Sequence, residues 1–203
     1  MLETTGLACD RGGVRLFADV ALQLRPGGLL RLRGANGTGK TTLLRTLAGL
    51  TRPAEGSVRW NGLEVDAEFR RQMLFIGHAP ALKDELTVLE NLAFSLRLSA
   101  VAATDVEIQG ALEHLGVARL ANLPARYLSQ GQRRRAALAR LPLSMGIPLW
   151  LLDEPFAALD VEGIDRLAEL CSAHLAGGGM LVLTSHQDVD IDSAVALSVA
   201  LGN

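Results

Sequence analysis

The chain predicts an α/β fold with a mostly parallel core sheet flanked by helices. Three observations lead there. First, short apolar runs end in polar residues able to do chemistry: residues 29–32 before a glycine-rich loop, 149–152 before Asp153-Glu154, and 180–183 before Thr184-Ser185-His186. Runs of this length read as buried strands, and the carboxyl ends of such strands form the ligand edge of an open parallel sheet. Second, Gly34-Ala35-Asn36-Gly37-Thr38-Gly39-Lys40-Thr41-Thr42 fits the pattern G-x-x-x-x-G-K-[ST], which belongs between a strand and a helix. Third, helical spacing appears in Leu43, Leu44 and Leu47, and again in Ile108, Ala111, Leu112 and Leu115.

From the amino terminus, residues 2–61 alternate apolar and polar. Gly12-Gly13, Pro26-Gly27-Gly28 and Asn61-Gly62 read as turns. This predicts an antiparallel β region beside the first strand of the core. In the glycine-rich loop, small residues let successive backbone N–H groups converge on phosphates. Lys40 reaches the β and γ phosphates, and the Thr41 hydroxyl binds Mg²⁺. The loop opens a helix at Lys40, whose partial positive charge adds to the anion site. Residues 83–140 change character and read as helical, with Gly116 as a stop signal. The basic run Arg133, Arg134, Arg135 reads as the solvated and phosphate-side face of one of these helices. The strand 149–152 then delivers Asp153 to the Mg²⁺ shell and Glu154 to the attacking water as general base.

A chain of 203 residues suffices for one unit with a sizeable core. The formal net charge of −2 argues against general nucleic-acid binding. Cys9 and Cys171 give neither a metal-ligand spacing nor a disulfide framework, which suits a reducing compartment. Residues 1–10 lack the cationic-then-apolar order of a signal peptide. The apolar stretch 141–152 is broken by Pro142, Gly146 and Pro148, too short a run to cross a bilayer. Mean hydropathy is nevertheless slightly positive, which points to apolar surface that meets a partner.

Leu128-Ser129-Gln130-Gly131-Gln132 stands shortly before the carboxylate strand. Here the chain resembles the ATP-binding-cassette family, whose signature is L-S-G-G-Q at a helix start, and the resemblance covers essentially the whole chain. It implies a single P-loop NTPase cassette over residues 1–203, with an antiparallel β subdomain and a helical signature subdomain inserted at about 83–145. It implies ATP and Mg²⁺ as ligands, with Thr41 and Asp153 on the metal and Lys40, Glu154 and His186 as the catalytic set. Ser129, Gln130, Gly131 and Gln132 would meet the γ-phosphate of ATP held by the opposite copy, so a complete site requires two copies. Gln130 departs from the family's second-position glycine. Ala157-Ala158-Leu159-Asp160 resembles the D-loop, which places Asp160 at the dimer seam. His78 stands where the family's lid carries a glutamine, which puts direct Mg²⁺ contact by the lid in doubt. Family members stack an aromatic residue on adenine. Residues 7–17 have none at the expected spot; Arg11 lies nearest, either as a guanidinium stack or as a solvated loop arginine.

Gly77-His78, the segment 82–92 and residues 128–135 together resemble the ATP-binding subunits of bacterial haem exporters of cytochrome c maturation. That resemblance implies integral membrane partners of the CcmB and CcmC type and a peripheral place on the cytoplasmic face of the inner membrane. No haem-attachment pattern occurs, so no direct haem binding is expected, nor is a nucleic-acid partner. Other functions on the same cassette are the ATPase of a different small exporter and a soluble ATPase working on a macromolecular complex. The latter usually carries paired cassettes or long insertions.

Overall fold

The computed structural model describes residues 1–201. Alternating side chains at the amino terminus form a hairpin, β1 (Leu2–Arg11) and β2 (Val14–Leu24), turned at Gly12-Gly13. The chain then turns at Pro26-Gly27 into β3 (Gly28–Arg33), in which Leu29, Leu30 and Leu32 are fully buried. After the glycine-rich loop, α1 (Lys40–Leu47) buries Leu43, Leu44 and Leu47 against the sheet. β4 (Glu55–Trp60) and β5 (Leu63–Glu64) meet around Asn61-Gly62. They complete an antiparallel sheet of order β2-β1-β4-β5.

The short α2 (Ala67–Arg71) leads into β6 (Met73–Ile76). Then come α3 (Val88–Leu98), α4 (Asp105–His114) and α5 (Gln130–Leu138). Each of these three helices begins at a reciprocal capping box: Thr87 with Glu90, Thr104 with Glu107, Ser129 with Gln132. Such a box satisfies two backbone N–H groups that the first helical turn otherwise leaves orphaned. The stop expected at Gly116 follows one residue after the C-cap of α4, with φ of +67°. β7 (Leu149–Asp153), α6 (Val161–Ala176), β8 (Met180–Thr184) and β9 (Val195–Ala200) finish the fold. The core sheet is parallel, in the order β6-β7-β8-β3-β9.

Period-two alternation along the central strands divides the core into two layers. Trp150, Leu152, Leu181 and Leu183 face a layer with Leu92, Leu96, Leu112 and Leu167 from the helices. Leu149, Leu151, Met180 and Val182 face the other layer, with α1 and the inner side of the antiparallel sheet. In the first layer His174 of α6 stacks on Trp150, with centroids 3.9 Å apart and planes 4° apart. Both cysteines are buried and free, and burial pushes the Cys171 thiol up to about 12. Among the described residues no helix is long and apolar enough to cross a membrane.

Register is what places the site. Ile76 pairs with Leu152, Asp153 with Thr184, and Thr184 with Leu32. The carboxyl ends of β6, β7, β8 and β3 therefore lie side by side at one edge. The segments that follow them carry His78, Glu154, His186 and the glycine-rich loop.

Candidate functional site

The loop between β3 and α1 bends through Gly34, Gly37 and Gly39, all at positive φ. Gly39, at φ of +100°, is the N-cap of α1. A Cβ there would stand 3.1 Å from Leu16 Cβ and 3.2 Å from the Phe17 ring, so both conformation and space require glycine. The Lys40 ammonium is drawn into the loop and donates to the carbonyls of Gly34 (2.7 Å) and Ala35 (3.0 Å). Thr38 closes the loop with a bond from its hydroxyl to the Ala35 carbonyl (2.9 Å). The α1 N-terminus faces the same space, so loop N–H groups, helix dipole and ammonium all favour an anion there.

At the end of β7 the Asp153 carboxylate is 2 % exposed and held at both oxygens. Thr41 donates to Oδ2 (2.9 Å) and Thr184 to Oδ1 (2.8 Å). The same Thr184 hydroxyl accepts the Glu154 backbone N–H (2.8 Å). Glu154 has φ of +50°, a left-handed conformation that non-glycine residues adopt only when neighbours hold them. Its Oε1 is enclosed without a hydrogen-bond partner and faces His186 Nε2 at 3.5 Å.

These groups share a cavity of about 730 Å³, the volume class of a nucleotide pocket. Asn36, Gly37, Gly39, Lys40, Thr41 and Thr42 of the loop and α1 line it together with Asp153, Glu154 and His186 from the neighbouring strand ends, and with His78 and Arg11. Leu16 and Ala157 also line it; Ala157 opens the D-loop-like run, whereas Leu16 did not stand out in the sequence. Leu16 takes a wall position because the β2 alternation turns Phe17 into the core, where it is 7 % exposed. Gly34, Ala35 and Thr38 belong to the loop without lining the cavity.

Ser129, Gln130, Gly131 and Gln132 do not line this cavity. Ser129 caps α5, accepting the Gln132 N–H (3.3 Å), while Gln132 Oε1 accepts the Ser129 N–H (2.9 Å). Gly131 packs under the segment after β7: a Cβ on it would stand 2.7 Å from the Ala158 carbonyl oxygen. Asp160 caps α6 by accepting the Gly163 N–H (3.1 Å), and it pairs with Arg135 (3.2 Å). Gln130 and His78 share an adjoining cleft of about 360 Å³ with Ala157 and Ala158.

The basic run departs from its sequence reading. Arg133 pairs with Asp84 (2.7 Å) and Arg135 with Asp160, but Arg134 is buried, at 3 % exposure. Three successive helical positions point in three directions about 100° apart, so one of them must turn inward. The fork of Arg134 meets backbone carbonyls there instead of solvent.

The sequence and fold match known proteins along this whole framework. The family model described as ABC transporter matches residues 17–157. The chain is 51% identical over 189 residues to the cytochrome c biogenesis ATP-binding export protein CcmA of Methylococcus capsulatus, covering 92% of this chain and 91% of that protein. With the CcmA of Dechloromonas aromatica it shares 46% identity over 205 residues, covering 100% of both chains. A dimeric structure of an ATP-binding cassette in a post-hydrolysis state, bound to ADP and phosphate, matches with a TM-score of 0.81 and 25% identity. That match covers 92% of this chain and 88% of the other. With a family model over more than half its length and near-half identity to relatives along almost all of it, the chain belongs to the ABC transporter family.

Proposed function

We propose that this chain is the ATP-hydrolysing subunit of a membrane exporter serving cytochrome c maturation, with haem as its cargo. Identity to CcmA proteins along nearly the full chain supports the pathway and the export role. The observation that carries the chemistry is the convergence of Lys40, Thr41, Asp153, Glu154 and His186 on one cavity from adjacent strand ends. ATP phosphates bind the glycine-rich loop, where Lys40 neutralises the β and γ groups. Thr41 Oγ1 and Asp153 Oδ2, 2.9 Å apart and on residues that both line the cavity, are hard oxygen donors suited to Mg²⁺. Such a site supplies few protein ligands because phosphate and water complete the shell, and Mg²⁺, when bound, screens the charge of the phosphates. Glu154 accepts a proton from the water whose oxygen attacks the γ-phosphorus, and ADP leaves. His186, beside Glu154, holds the γ-phosphate and orients that water. Arg11 stacks on the adenine, in place of the usual aromatic ring.

The site of one chain is half of the working unit. Ser129 and Gly131 open α5 outside the cavity, so they serve the ATP of a second copy, with Gln130 and Gln132 around them and Asp160 at the seam. A solved relative described as dimeric is consistent with this arrangement. Two ATP molecules then hold two copies together, and loss of the γ-phosphate releases them. His78 occupies the lid position and lines the same cavity, where its imidazole would accept from or donate to the water shell of a bound Mg²⁺ in place of a glutamine's direct contact. The chain acts as one cassette over residues 1–203. Its helical part, at about 83–145, faces integral membrane subunits of the CcmB and CcmC type, which hold the chain at the cytoplasmic face of the inner membrane.

Recovery of the Glu154→Gln variant from native membranes in ATP tests the assignment. Co-purification of small multispanning cytochrome-maturation proteins is the expected result. A different permease would retain the ATPase and overturn the cargo; ribosomal or DNA-bound proteins would overturn the exporter. Wild-type chain should hydrolyse ATP steadily, and Glu154→Gln should bind ATP without turnover.

A further inference from the structure

Arg134, in the second turn of α5, is a buried cation that pairs with no carboxylate among the described residues. Its Nη1 donates to the carbonyls of Gly77 (2.9 Å) and His78 (3.2 Å), in the lid after β6. Its Nη2 donates to the carbonyls of Asp153 (2.7 Å) and Glu154 (2.7 Å), and its Nε to that of Pro155 (3.3 Å). One rigid fork therefore ties three parts of the fold: the signature helix, the lid, and the end of the catalytic strand. Burying a guanidinium is costly, and an apolar residue would fill the same space more cheaply. Burial also lowers its proton affinity, an effect that nearby Asp153 and Glu154 partly offset.

The target of this fork matters more than the number of bonds. Glu154 holds a left-handed backbone. Its N–H is fixed by Thr184 and its carbonyl by Arg134. Among the described residues no hydrogen bond holds its Oε1, which faces His186 Nε2 at 3.5 Å, so the held backbone is what sets where the side chain starts. A shift of α5 or of residues 77–78 would therefore reach that backbone through the fork. The neighbours Arg133 and Arg135 do not substitute, because they point to Asp84 and Asp160.

We propose that Arg134 is a positioning residue for hydrolysis: it makes the aim of Glu154 conditional on where the lid and the signature helix stand. It rests on the reading of Glu154 as general base. The planar fork is essential, since the single ammonium of a lysine cannot span the Gly77–His78 and Asp153–Pro155 carbonyls together.

The test uses the full chain with Arg134→Lys and Arg134→Gln, assayed below their measured melting temperatures. Expected for Arg134→Lys is a kcat loss of about 30-fold or more, with the KM for ATP changed less than about threefold. ATP affinity measured in the Glu154→Gln background should be unaltered by adding Arg134→Lys. Arg134→Gln should lose at least as much kcat. Retention of kcat by Arg134→Lys, or a fall in ATP affinity that matches the fall in kcat, overturns the proposal while leaving Glu154 as general base. A wild-type chain without turnover, or full turnover in Glu154→Gln, overturns both.

Discussion

Thr184→Val removes one hydroxyl and leaves the shape of the side chain intact. Thr184 is fully buried, and its oxygen makes two bonds of 2.8 Å, donating to Asp153 Oδ1 and accepting from the Glu154 N–H. A hydrogen bond to an ionised group contributes about 1.5–3 kcal/mol, and an unsatisfied buried N–H costs about 1–3 kcal/mol. Asp153 keeps its bond from Thr41, so the expected total stays near the low end of that sum, about 3 kcal/mol. For a chain of this size that corresponds to a melting shift of about 6–12 °C. Catalysis should suffer separately, because the freed peptide no longer fixes the Glu154 carboxylate; a kcat loss of about tenfold or more is expected. Urea titration gives the stability change, with an unaltered slope showing that the two-state comparison holds. Steady-state hydrolysis at saturating ATP gives the second number. Thr184→Ser keeps the hydroxyl and should lose only about 1 kcal/mol for the missing methyl, with turnover near wild type. If Thr184→Val loses less than about 1 kcal/mol and keeps its kcat, the bridge between β7 and β8 does not hold the carboxylates as argued.

Arg11→Ala should weaken ATP binding about three- to fivefold if its guanidinium stacks on the base, as a fluorescent-nucleotide titration would read; unchanged affinity removes that role. Gly131→Ala places a Cβ against the Ala158 carbonyl and should displace the segment before α6; turnover should fall about tenfold while ATP binding to the single chain is retained. His174 is buried and stacked on Trp150, and burial lowers its pKa. The unfolded chain therefore binds the extra proton first: stability is full above the ordinary histidine value of about 6.5 and falls as pH drops through the lower, folded value. Thermal melts from about pH 7.5 to about 5.5 should show this decline, and His174→Phe, which keeps the stack, should flatten it.

The features legible in the sequence were those fixed by local chemistry. A glycine-rich loop before Lys40, an apolar run ending at Asp153-Glu154 and another ending near His186 each announce a strand end, and parallel pairing brings the three together. The helical spacing from Ile108 to Leu115 likewise became the buried face of α4, with the last of these at its C-cap. The roles of Thr184 and Leu16 went unread, and Arg134 was misread as solvated, because all three depend on partners distant in the chain. Thr184 reads as one more β-branched residue closing a strand until register sets it beside Asp153. Leu16 becomes a cavity wall only because the hairpin folds over Gly39. Arg134 sits between two arginines that do pair with surface carboxylates, and nothing in the triplet itself marks the middle one as inward.

That inward turn bears on how one helix can serve two sites. Residues 154–160 contain two non-glycine residues at left-handed φ, Glu154 at +50° and Ala158 at +61°. Each such residue costs about 1 kcal/mol or more, so the segment needs external support to keep its path. α5 supplies that support: Arg134 holds the carbonyls of Glu154 and Pro155, Gly131 leaves room for that of Ala158, and Arg135 pairs with Asp160. Ser129 and Gly131, at the start of the same helix, do not line the cavity of their own chain. On the proposed dimer reading, an ATP bound by the second copy therefore pulls on a helix that also supports Glu154 of the first. Hydrolysis at the two sites would then be linked through α5 itself, and its sensitivity to the partner's nucleotide should depend on Arg134 and Gly131 more than on any residue of the glycine-rich loop.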